Sequence, residues 1–484
     1  MLKLWSYDLA REQCPTEEFL HRLCHLTQDS GYDGIGLYME HRFAYPSAPW
    51  AHGRESLQPE VVARLQNQFP SLQIIPFINL LGHCEGFIYT EEGKSFAEER
   101  FKGLQACPSN PGFREFARGI LQDTLNCFDS HIVHIGGDET AQLAQCPSCS
   151  GKSKAELFAN HFLPLIQAVI DAGRRPAIWA DMVLEHPELL EVIPKETLLF
   201  DWQYFDGFKE TTPRLLAAGF EVVCCPTLHT YNAAWMHVDR SQANLEEAIA
   251  QDGKLGVCLT TWECALMGNY LTLTPAIKNA GRQLCGVEPK PLSDWDRLMG
   301  IELEKLGGPF AVSRIRSGLK CRLLLYSNPF LAWMHHASEL FGPIGDEALK
   351  IADHAIAVAP DVSCRGVAVF VYKAIEFVRL AEQARQAYAN ELPGVAAATL
   401  SPCRQIFDDL EKVARATLLN AGGSMADIER CRAARKHVET VILRIKEYGD
   451  GQLGYLPAFE ILTHPKFMPH DQGSWWLINK WANE

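Results

Sequence analysis

An Asp-Glu pair, Asp138-Glu139, ends the sequence HIVHIGGDE at residues 131–139. The apolar stretch before it is typical of a buried strand, and the two glycines permit a sharp turn at the strand's end. Beyond such a turn both carboxylates can face one cleft, where their pKa values can separate so that one stays ionised and the other donates a proton. The pair therefore fits general acid–base catalysis. A solvated acidic turn at a strand end is the alternative that the pair alone leaves open.

Polar and aromatic side chains recur where other apolar stretches end. Three of these ends carry a tryptophan, and indole faces pack against sugar rings while the sugar hydroxyls form hydrogen bonds at the rim. Taken singly, each tryptophan also fits a protein core. The strand-end residues are Asp8, Arg11, Glu40, His41, Asn79, His83, Glu85, Trp179, Asp181, Asp201, Trp202, Tyr204, His229, Tyr231, Trp262 and Glu263.

Eight short apolar stretches alternate with helical patterns up to about residue 270. This rhythm is typical of βα units with a parallel sheet, and eight units predict a closed (β/α)8 TIM barrel with its chemistry at the C-terminal strand ends. An open doubly wound sheet is the alternative, although no Gly-x-Gly-x-x-Gly follows the first strand to indicate nucleotide binding. The predicted strands are Lys3–Tyr7, Gly34–Tyr38, Gln73–Ile78, Ile132–Ile135, Ala177–Ala180, Leu198–Asp201, Glu221–Cys225 and Gly256–Thr260.

The remainder of the chain shows long helical patterns without strands. We therefore predict a catalytic barrel over residues 1–290 and an all-helical C-terminal domain over residues 291–484. The final segment, from Gly451 onwards, is rich in proline, glycine and aromatic residues, and fits either a strap over the protein's own surface or a subunit contact in a homodimer. The predicted helices are Leu298–Leu306, Ala332–Phe341, Gly345–Ala359, Ser363–Leu392, Cys403–Leu419 and Met425–Tyr448.

Composition narrows the classes of partner. The formal net charge is −14. Because proteins bind nucleic acids and anionic membranes through positively charged surfaces, we expect neither as a partner. The sequence contains no apolar run of about 18 residues that could span a membrane, and it begins with a strand pattern rather than a leader. Sixteen cysteines, most of them in apolar contexts, indicate a reducing compartment. We expect a cytoplasmic protein.

A Cys-x-x-Cys pair, Cys146 and Cys149, follows the acidic pair closely. This spacing supplies half of a structural zinc site, which Cys107 or a nearby histidine could complete. A redox pair and ordinary loop thiols are the other interpretations. A metal here would hold the loop beside Glu139 and would take no part in catalysis.

The sequence His-x-Gly-Gly-Asp-Glu after an apolar strand resembles the signature of glycoside hydrolase family 20, the exo-acting β-N-acetylhexosaminidases. The resemblance covers most of residues 1–270. In that family the substrate's own 2-acetamido group is the nucleophile and forms an oxazolinium ion. The resemblance implies that Asp138 orients the acetamide and stabilises charge on its nitrogen, that Glu139 is the acid/base, and that Tyr231 binds the acetamide carbonyl oxygen.

Further binding residues follow from the same resemblance. Trp179, Trp202 and Trp262 match the aromatic box around the sugar, Glu263 matches the residue that holds its distal hydroxyls, and His83 matches a Gly-His motif. His134 either supports Asp138 from within the barrel or is a packed core histidine. Many members begin strand one with an arginine, where this chain has Lys3. Arg11 matches a later arginine of that motif. Glu40 with His41 would bind the sugar hydroxyls in place of the first arginine.

The implied activity is retaining exo-hydrolysis of terminal β-linked GlcNAc or GalNAc from a carbohydrate or glycoconjugate, with no cofactor required. The chain most resembles the hexosaminidase D and small bacterial N-acetylglucosaminidase branch. Two alternatives stay open. One is a carbohydrate-binding barrel without catalysis, and the other is a barrel metallohydrolase with His134, Asp138 and His83 as ligands.

Overall fold

Eight parallel strands close into a barrel. The computed structural model describes residues 1–10, 15–53, 56–100, 102–204, 207–229, 238–262, 269–303, 341–418 and 425–452. In chain order the strands are β1 (Leu2–Asp8), β2 (Gly34–Tyr38), β3 (Gln73–Phe77), β4 (Ala97–Glu99), β5 (Lys102–Ala106), β6 (Ile132–His134), β7 (Arg175–Trp179), β8 (Leu198–Trp202), β9 (Val222–Cys225), β10 (Thr227–His229) and β11 (Gly256–Thr261). Strand β1 pairs in parallel with both β2 and β11, which closes the ring and excludes the open doubly wound sheet.

The strands are buried on both faces, as expected for a parallel barrel covered by helices. Alternate residues along β6 face the barrel interior and the surrounding helices in turn. Ile132 belongs to the apolar cluster inside the barrel, whereas Val133 belongs to the larger cluster between strands and helices. By the same alternation, His134 points to the barrel interior.

Helices follow the barrel strands and cover their outer faces. The first begins after Thr16, whose side chain accepts a hydrogen bond from the Phe19 N–H (3.2 Å) and so caps the helix. The α-helices of this part are Glu17–Asp29, Pro59–Gln68, Glu85–Ile88, Pro111–Cys127, Lys154–Asp171, Asp181–Glu185, Leu189–Val192, Thr211–Ala217, Val238–Ala250 and Asn269–Leu284, with short 3-10 turns at Glu40–Arg42, Pro49–Ala51 and Gly93–Phe96.

The helical C-terminal region has an apolar core of its own. Its buried cluster runs from Trp295 to Ile445, whereas the barrel cluster ends at Leu284. The elements are Asp294–Arg297, the π-turn Leu298–Glu302, Phe341–Val358, Val362–Ala389, Pro393–Leu400, Cys403–Val413, the π-turn Ala414–Leu418 and Met425–Gly449. None of the described helices is long and apolar enough to cross a membrane.

The predicted fold class is confirmed, and all eight predicted barrel strands are present. The elements that were not predicted include the antiparallel hairpin β4–β5, strand β10 and the helices Asp294–Arg297 and Pro393–Leu400. The hairpin lacks a clear apolar alternation, because Glu98 and Glu99 form most of β4. The predicted helix Ala332–Phe341, apart from Phe341, and the aromatic tail beyond residue 452 lie outside the described residues.

Candidate active site

Asp138 reaches the cleft because two glycines bend the chain after β6. Gly136 and Gly137 have φ values of 78° and 98°, a conformation that side chains disfavour. A Cβ on Gly136 would also collide with Oδ1 of Asn79. The turn therefore depends on the two glycines, and it brings the next two residues over the C-terminal end of the barrel.

Asn79, just past β3, ties this turn to the neighbouring strands. Its Oδ1 accepts a hydrogen bond from the Gly137 N–H (3.2 Å), and its Nδ2 donates to Asp138 Oδ1 (3.3 Å) and to the Tyr38 hydroxyl (2.7 Å). Asn79 is 1% exposed, so its hydrogen bonds form away from bulk water. The amide thus fixes one oxygen of Asp138 and leaves the other free to face His83.

His83 lies against both members of the acidic pair. Its Nε2 is 3.0 Å from Glu139 Oε2 and 3.7 Å from Asp138 Oδ2, while its Nδ1 is 3.7 Å from Glu85 Oε1. Gly82 makes this approach possible, since a Cβ there would collide with the Asp138 carbonyl oxygen. The Gly-His motif therefore needs its glycine for packing and its histidine for charge.

The two carboxylates differ in depth. The Asp138 side chain is 11% exposed and the Glu139 side chain 46% exposed. Glu139 also has a φ of 49°, which is uncommon for a residue with a side chain and recurs at functional sites. Its backbone N–H donates to Asp181 Oδ2 (2.9 Å). The shallow carboxylate can exchange protons with bound molecules and solvent, and the deep one is suited to hold a ligand group.

Charges in the cluster shift the pKa values of its members. Burial raises the pKa of Asp138 and so does Glu139, against the lowering effects of His83 and of the Asn79 hydrogen bond. Burial also raises the pKa of Asp181, to about 8, helped by Asp138 and Glu139. For His83, burial favours the neutral ring, but Asp138, Glu139 and Glu85 outweigh it and raise the pKa well above its usual value. These shifts favour an imidazolium at His83 and a protonated carboxyl group at Asp181.

The three predicted tryptophans all lie at this end of the barrel. The rings of Trp179 and Trp262 meet edge to face with centroids 5.8 Å apart. The Trp202 indole N–H donates to Asp181 Oδ1 (3.3 Å), and the Trp262 N–H donates to the Tyr204 hydroxyl (2.6 Å). Trp179 is 1% exposed, whereas Trp202 and Trp262 are half-buried. Two of the rings are thus anchored through N–H groups with part of their surface accessible.

Glu40 and His41, predicted to grip the sugar, are both 2% exposed. Glu40 lies near His83 and Glu85, with ligand atoms of the three residues within 4.8 Å of one another. His41 packs against Gly86, where a Cβ would collide with the imidazole ring. The two residues stand beside the His83 cluster, and a grip on the sugar by either stays a prediction.

His134 lies in the aromatic interior of the barrel, beneath the cleft. Its ring stacks on Phe77 (4.5 Å between centroids) and meets Trp179 at 4.3 Å, and its Nδ1 accepts a hydrogen bond from the Gly136 N–H (3.2 Å). Burial lowers its pKa well below the usual value. This is the packed core histidine, and it supports the Gly-Gly turn rather than Asp138 directly.

The arrangement required by the metallohydrolase alternative is not formed among the described residues. Two groups there bring three or more ligand atoms within 4.8 Å of one another, and neither includes His134 or Asp138. One group is Glu40, His83 and Glu85; the other is Glu98 with Cys107, Cys146 and Cys149.

Three residues to which the resemblance assigns roles lie outside the described residues: Arg11, Tyr231 and Glu263.

The site contains two residues to which the sequence assigned no role. Asn79 and Asp181 were recognised only as strand-end polar residues, yet Asn79 holds Asp138 and Asp181 holds the backbone of Glu139. Position along the chain marks both residues as candidates for the site, because each follows a barrel strand by two residues. Their partners could not be predicted, since each hydrogen bond joins different strands.

Comparison with known proteins agrees with the predicted family. Residues 72–272 match the family described as "Glycosyl hydrolase family 20, catalytic domain". A beta-hexosaminidase of Vibrio furnissii is 23% identical over 178 residues, which are 33% of this chain and 28% of that protein, so the chain spans little more than a quarter of the length of this relative. This match supports the recognised family without identifying a branch within it.

Solved structures of similar proteins are more distant in sequence. A beta-N-acetylhexosaminidase from Bacteroides fragilis has a TM-score of 0.48 and 14% identity, with 65% of this chain and 70% of that chain covered. A family 20 beta-N-acetylhexosaminidase from Streptomyces coelicolor A3(2) has a TM-score of 0.44 and 16% identity, with coverages of 66% and 69%.

Proposed function

We propose that this chain, which carries a glycosyl hydrolase family 20 catalytic domain over residues 72–272, is a retaining exo-β-N-acetylhexosaminidase. It would release terminal β-linked GlcNAc or GalNAc from a small carbohydrate or glycoconjugate. The proposal rests on the different surroundings of the two carboxylates, Asp138 and Glu139. Asp138 is deep and held by Asn79, while Glu139 is shallow and within 3.0 Å of His83.

The proposed reaction begins when Glu139 gives its proton to the glycosidic oxygen as the C1–O bond breaks. The carbonyl oxygen of the substrate's acetamide forms a bond to C1 and makes an oxazolinium ion. Asp138, as an anion, pairs with the N–H of this group and stabilises its developing positive charge. Burial raises the pKa of Asp138 against the lowering effect of His83, so water solvates the Asp138 anion poorly and the new positive charge is stabilised strongly beside it.

In the second half of the reaction Glu139, now a carboxylate, takes a proton from water as the water oxygen bonds to C1. The oxazolinium ring opens, and the acetamide and the protonated Glu139 are restored. The His83 imidazolium, 3.0 Å from Glu139, stabilises the carboxylate formed between the two steps. Two inversions at C1 give net retention of configuration.

Binding of the sugar is proposed to use the aromatic side chains around the cluster. The half-buried rings of Trp202 and Trp262 would pack on the pyranose ring and the acetamide methyl group, beside Trp179. Tyr231, Glu263 and Arg11 are proposed, from the family resemblance, to bind the acetamide oxygen and the sugar hydroxyls. Polar contacts of this kind would set the orientation of a ligand in an otherwise apolar pocket.

The experiment is an assay of the purified full chain on aryl β-GlcNAc, β-GalNAc and β-glucoside. Glu139→Gln, prepared in the same way, controls for contaminating glycosidases. We expect turnover of one or both N-acetyl sugars and almost none of the glucoside, since the glucoside has no acetamide nucleophile. Comparable turnover of the glucoside would contradict the substrate-assisted mechanism, and sugar binding without any turnover would favour the carbohydrate-binding alternative.

A further inference from the structure

A cluster of three cysteines and one glutamate lies outside the acid–base cluster. The Sγ atom of Cys107 is 3.5 Å from the Sγ atoms of both Cys146 and Cys149. A carboxylate oxygen of Glu98 completes the group, and the four ligand atoms lie within 4.8 Å of one another. Cys107, Cys149 and Glu98 are buried, and Cys146 is half-buried.

The sulfur spacing fits shared ligation of one ion. A disulfide needs about 2.05 Å between its sulfurs, and Cys107, Cys146 and Cys149 form none. Two thiolates on one tetrahedral zinc, each with a Zn–S bond of about 2.3 Å, lie about 3.8 Å apart. The observed 3.5 Å is close to that spacing, and a small outward movement of Cys107 would reach it.

Glu98 provides an independent sign that this cluster binds a cation. Its Oε1 accepts hydrogen bonds from the backbone N–H groups of Gln145 and Cys146, both at 3.0 Å. Its Oε2 is buried without a hydrogen-bond partner among the described residues, and the side chain belongs to a residue that is 3% exposed. A buried carboxylate oxygen in such surroundings is costly unless a cation or donor faces it. The Glu98 carboxylate belongs to the group that contains the three sulfurs.

The backbone around the cluster is arranged for ligation. The N–H groups of Cys149 and Ser150 both donate to the Cys146 carbonyl oxygen, at 3.0 and 2.8 Å, which folds the Cys-x-x-Cys segment into a tight turn. Ser109 Oγ lies 3.2 Å from the Cys149 sulfur. With a thiolate at Cys149, the Ser109 hydroxyl can donate to the sulfur instead of accepting from it, a contact typical of the shell around a metal site.

We propose that Cys107, Cys146, Cys149 and Glu98 bind one structural zinc ion. Three sulfurs and a carboxylate oxygen are ligand types that zinc takes in closed, four-coordinate sites. Thiolate ligands disfavour magnesium and calcium, which prefer oxygen. The sequence offered Cys107 or a histidine to complete the site, and Glu98 of the unpredicted hairpin supplies the fourth ligand.

The ion would join two segments that carry the acid–base residues. Cys146 and Cys149 follow Glu139 in one loop, while Glu98 lies in β4 and Cys107 directly follows β5. That hairpin is bonded to the turn that bears His83, through Cys84 N–H to Leu104 O (2.7 Å) and Ala106 N–H to Leu81 O (3.0 Å). Zinc would therefore brace Glu139 and His83 against each other without touching substrate.

Zinc content tests the site independently of glycosidase activity. The full chain, produced with added zinc and passed through a mild chelator, should retain one zinc ion per chain by elemental analysis. The double variant Cys146→Ser/Cys149→Ser should lose the metal, and Glu98→Gln should release zinc to a chelator at a lower chelator concentration than the wild type. Cys285→Ser, which changes an exposed cysteine outside the cluster, is the matched control and should bind zinc normally.

Cobalt substitution gives a second measurement that does not depend on the folding of any variant. Cobalt bound to the wild-type chain should show thiolate-to-metal charge transfer and the intense visible bands of a tetrahedral site. Only traces of zinc in the wild type, full zinc in the double cysteine variant, iron in place of zinc, or a disulfide among the three cysteines would each overturn the proposal. If the variants lose zinc but keep normal glycosidase activity, the zinc site stands. Only the proposed role of zinc in bracing Glu139 and His83 would then be contradicted.

Discussion

The backbone N–H of Glu139 donates a hydrogen bond of 2.9 Å to Oδ2 of Asp181, a residue from a different strand end. Glu139 needs such support because its φ of 49° lies in the left-handed region. The second oxygen of Asp181 accepts from the Trp202 indole N–H (3.3 Å). A single carboxyl group thus fixes both the proposed acid/base and one wall of the proposed sugar pocket.

The protonation of Asp181 should make stability depend on pH. Its pKa rises from 3.8 to about 8 on folding, so the folded state holds a proton that the unfolded state releases between these values. The resulting stabilisation is complete below the unfolded pKa and is lost as pH rises through the folded pKa. Asp181→Asn lacks this titration. The difference in thermal midpoint, variant minus wild type, should therefore become more positive between about pH 5 and pH 9.

Asp252→Asn is the matched control, because Asp252 is exposed at a turn of the same barrel. Its midpoint difference should stay flat over the same range of pH. A flat difference for Asp181→Asn as well would mean that Asp181 is ionised in the folded protein, in conflict with its crowding by Asp138 and Glu139.

Removing the imidazolium should change the acidic limb of the pH–rate profile. The charge on His83 lowers the pKa of Asp138, so His83→Gln should let Asp138 protonate at higher pH. Since Asp138 must be an anion to stabilise the oxazolinium, the acidic limb of kcat/KM should move to higher pH, together with a lower maximum. The measurement is kcat/KM for an aryl β-GlcNAc across pH.

His131→Gln provides the comparison, since His131 is exposed before the start of β6, at the opposite end of that strand. Its profile should match the wild type. An unchanged acidic limb in His83→Gln would show that the histidine acts by shape alone.

The barrel and most of its strand ends could be predicted from the sequence, because apolar stretches alternate with helical patterns and strand ends meet at one edge of the barrel. The pairing of His83 with Glu139 could not, since it depends on Gly82 admitting the Asp138 backbone. Nor could the role of His134, although its alternation with Ile132 indicates an interior position. The fourth ligand of the cysteine cluster lies in a hairpin whose charged residues gave no strand signal.

Gly82 should be irreplaceable for reasons of space alone. A methyl group at this position would collide with the Asp138 carbonyl oxygen, a backbone atom that cannot rotate away. We expect Gly82→Ala to displace the acidic pair, to lower kcat/KM by about 100-fold and to cost about 1–3 kcal/mol of stability. Turnover and urea unfolding on one preparation would measure both effects.

Gly394→Ala is the matched substitution in the helical region, where the added methyl group meets open space within a helix. It should leave turnover unchanged and stabilise by up to about 1 kcal/mol. Normal turnover in Gly82→Ala would show that the Asp138 backbone can move without harm, and would weaken the proposed positioning of the pair.

The central claim is that Glu139 is the general acid, and a leaving-group series tests it most directly. Rates of the wild type and of Glu139→Gln would be compared on aryl β-GlcNAc substrates whose phenols range from acidic to weakly acidic, with a β-GlcNAc alkyl glycoside at the far end. General acid catalysis is worth about 10²–10⁴-fold and matters most when the departing oxygen is basic. We expect a loss of that size for the alkyl glycoside that shrinks steadily toward the most acidic phenol, whereas an equal loss across the whole series would contradict the assignment.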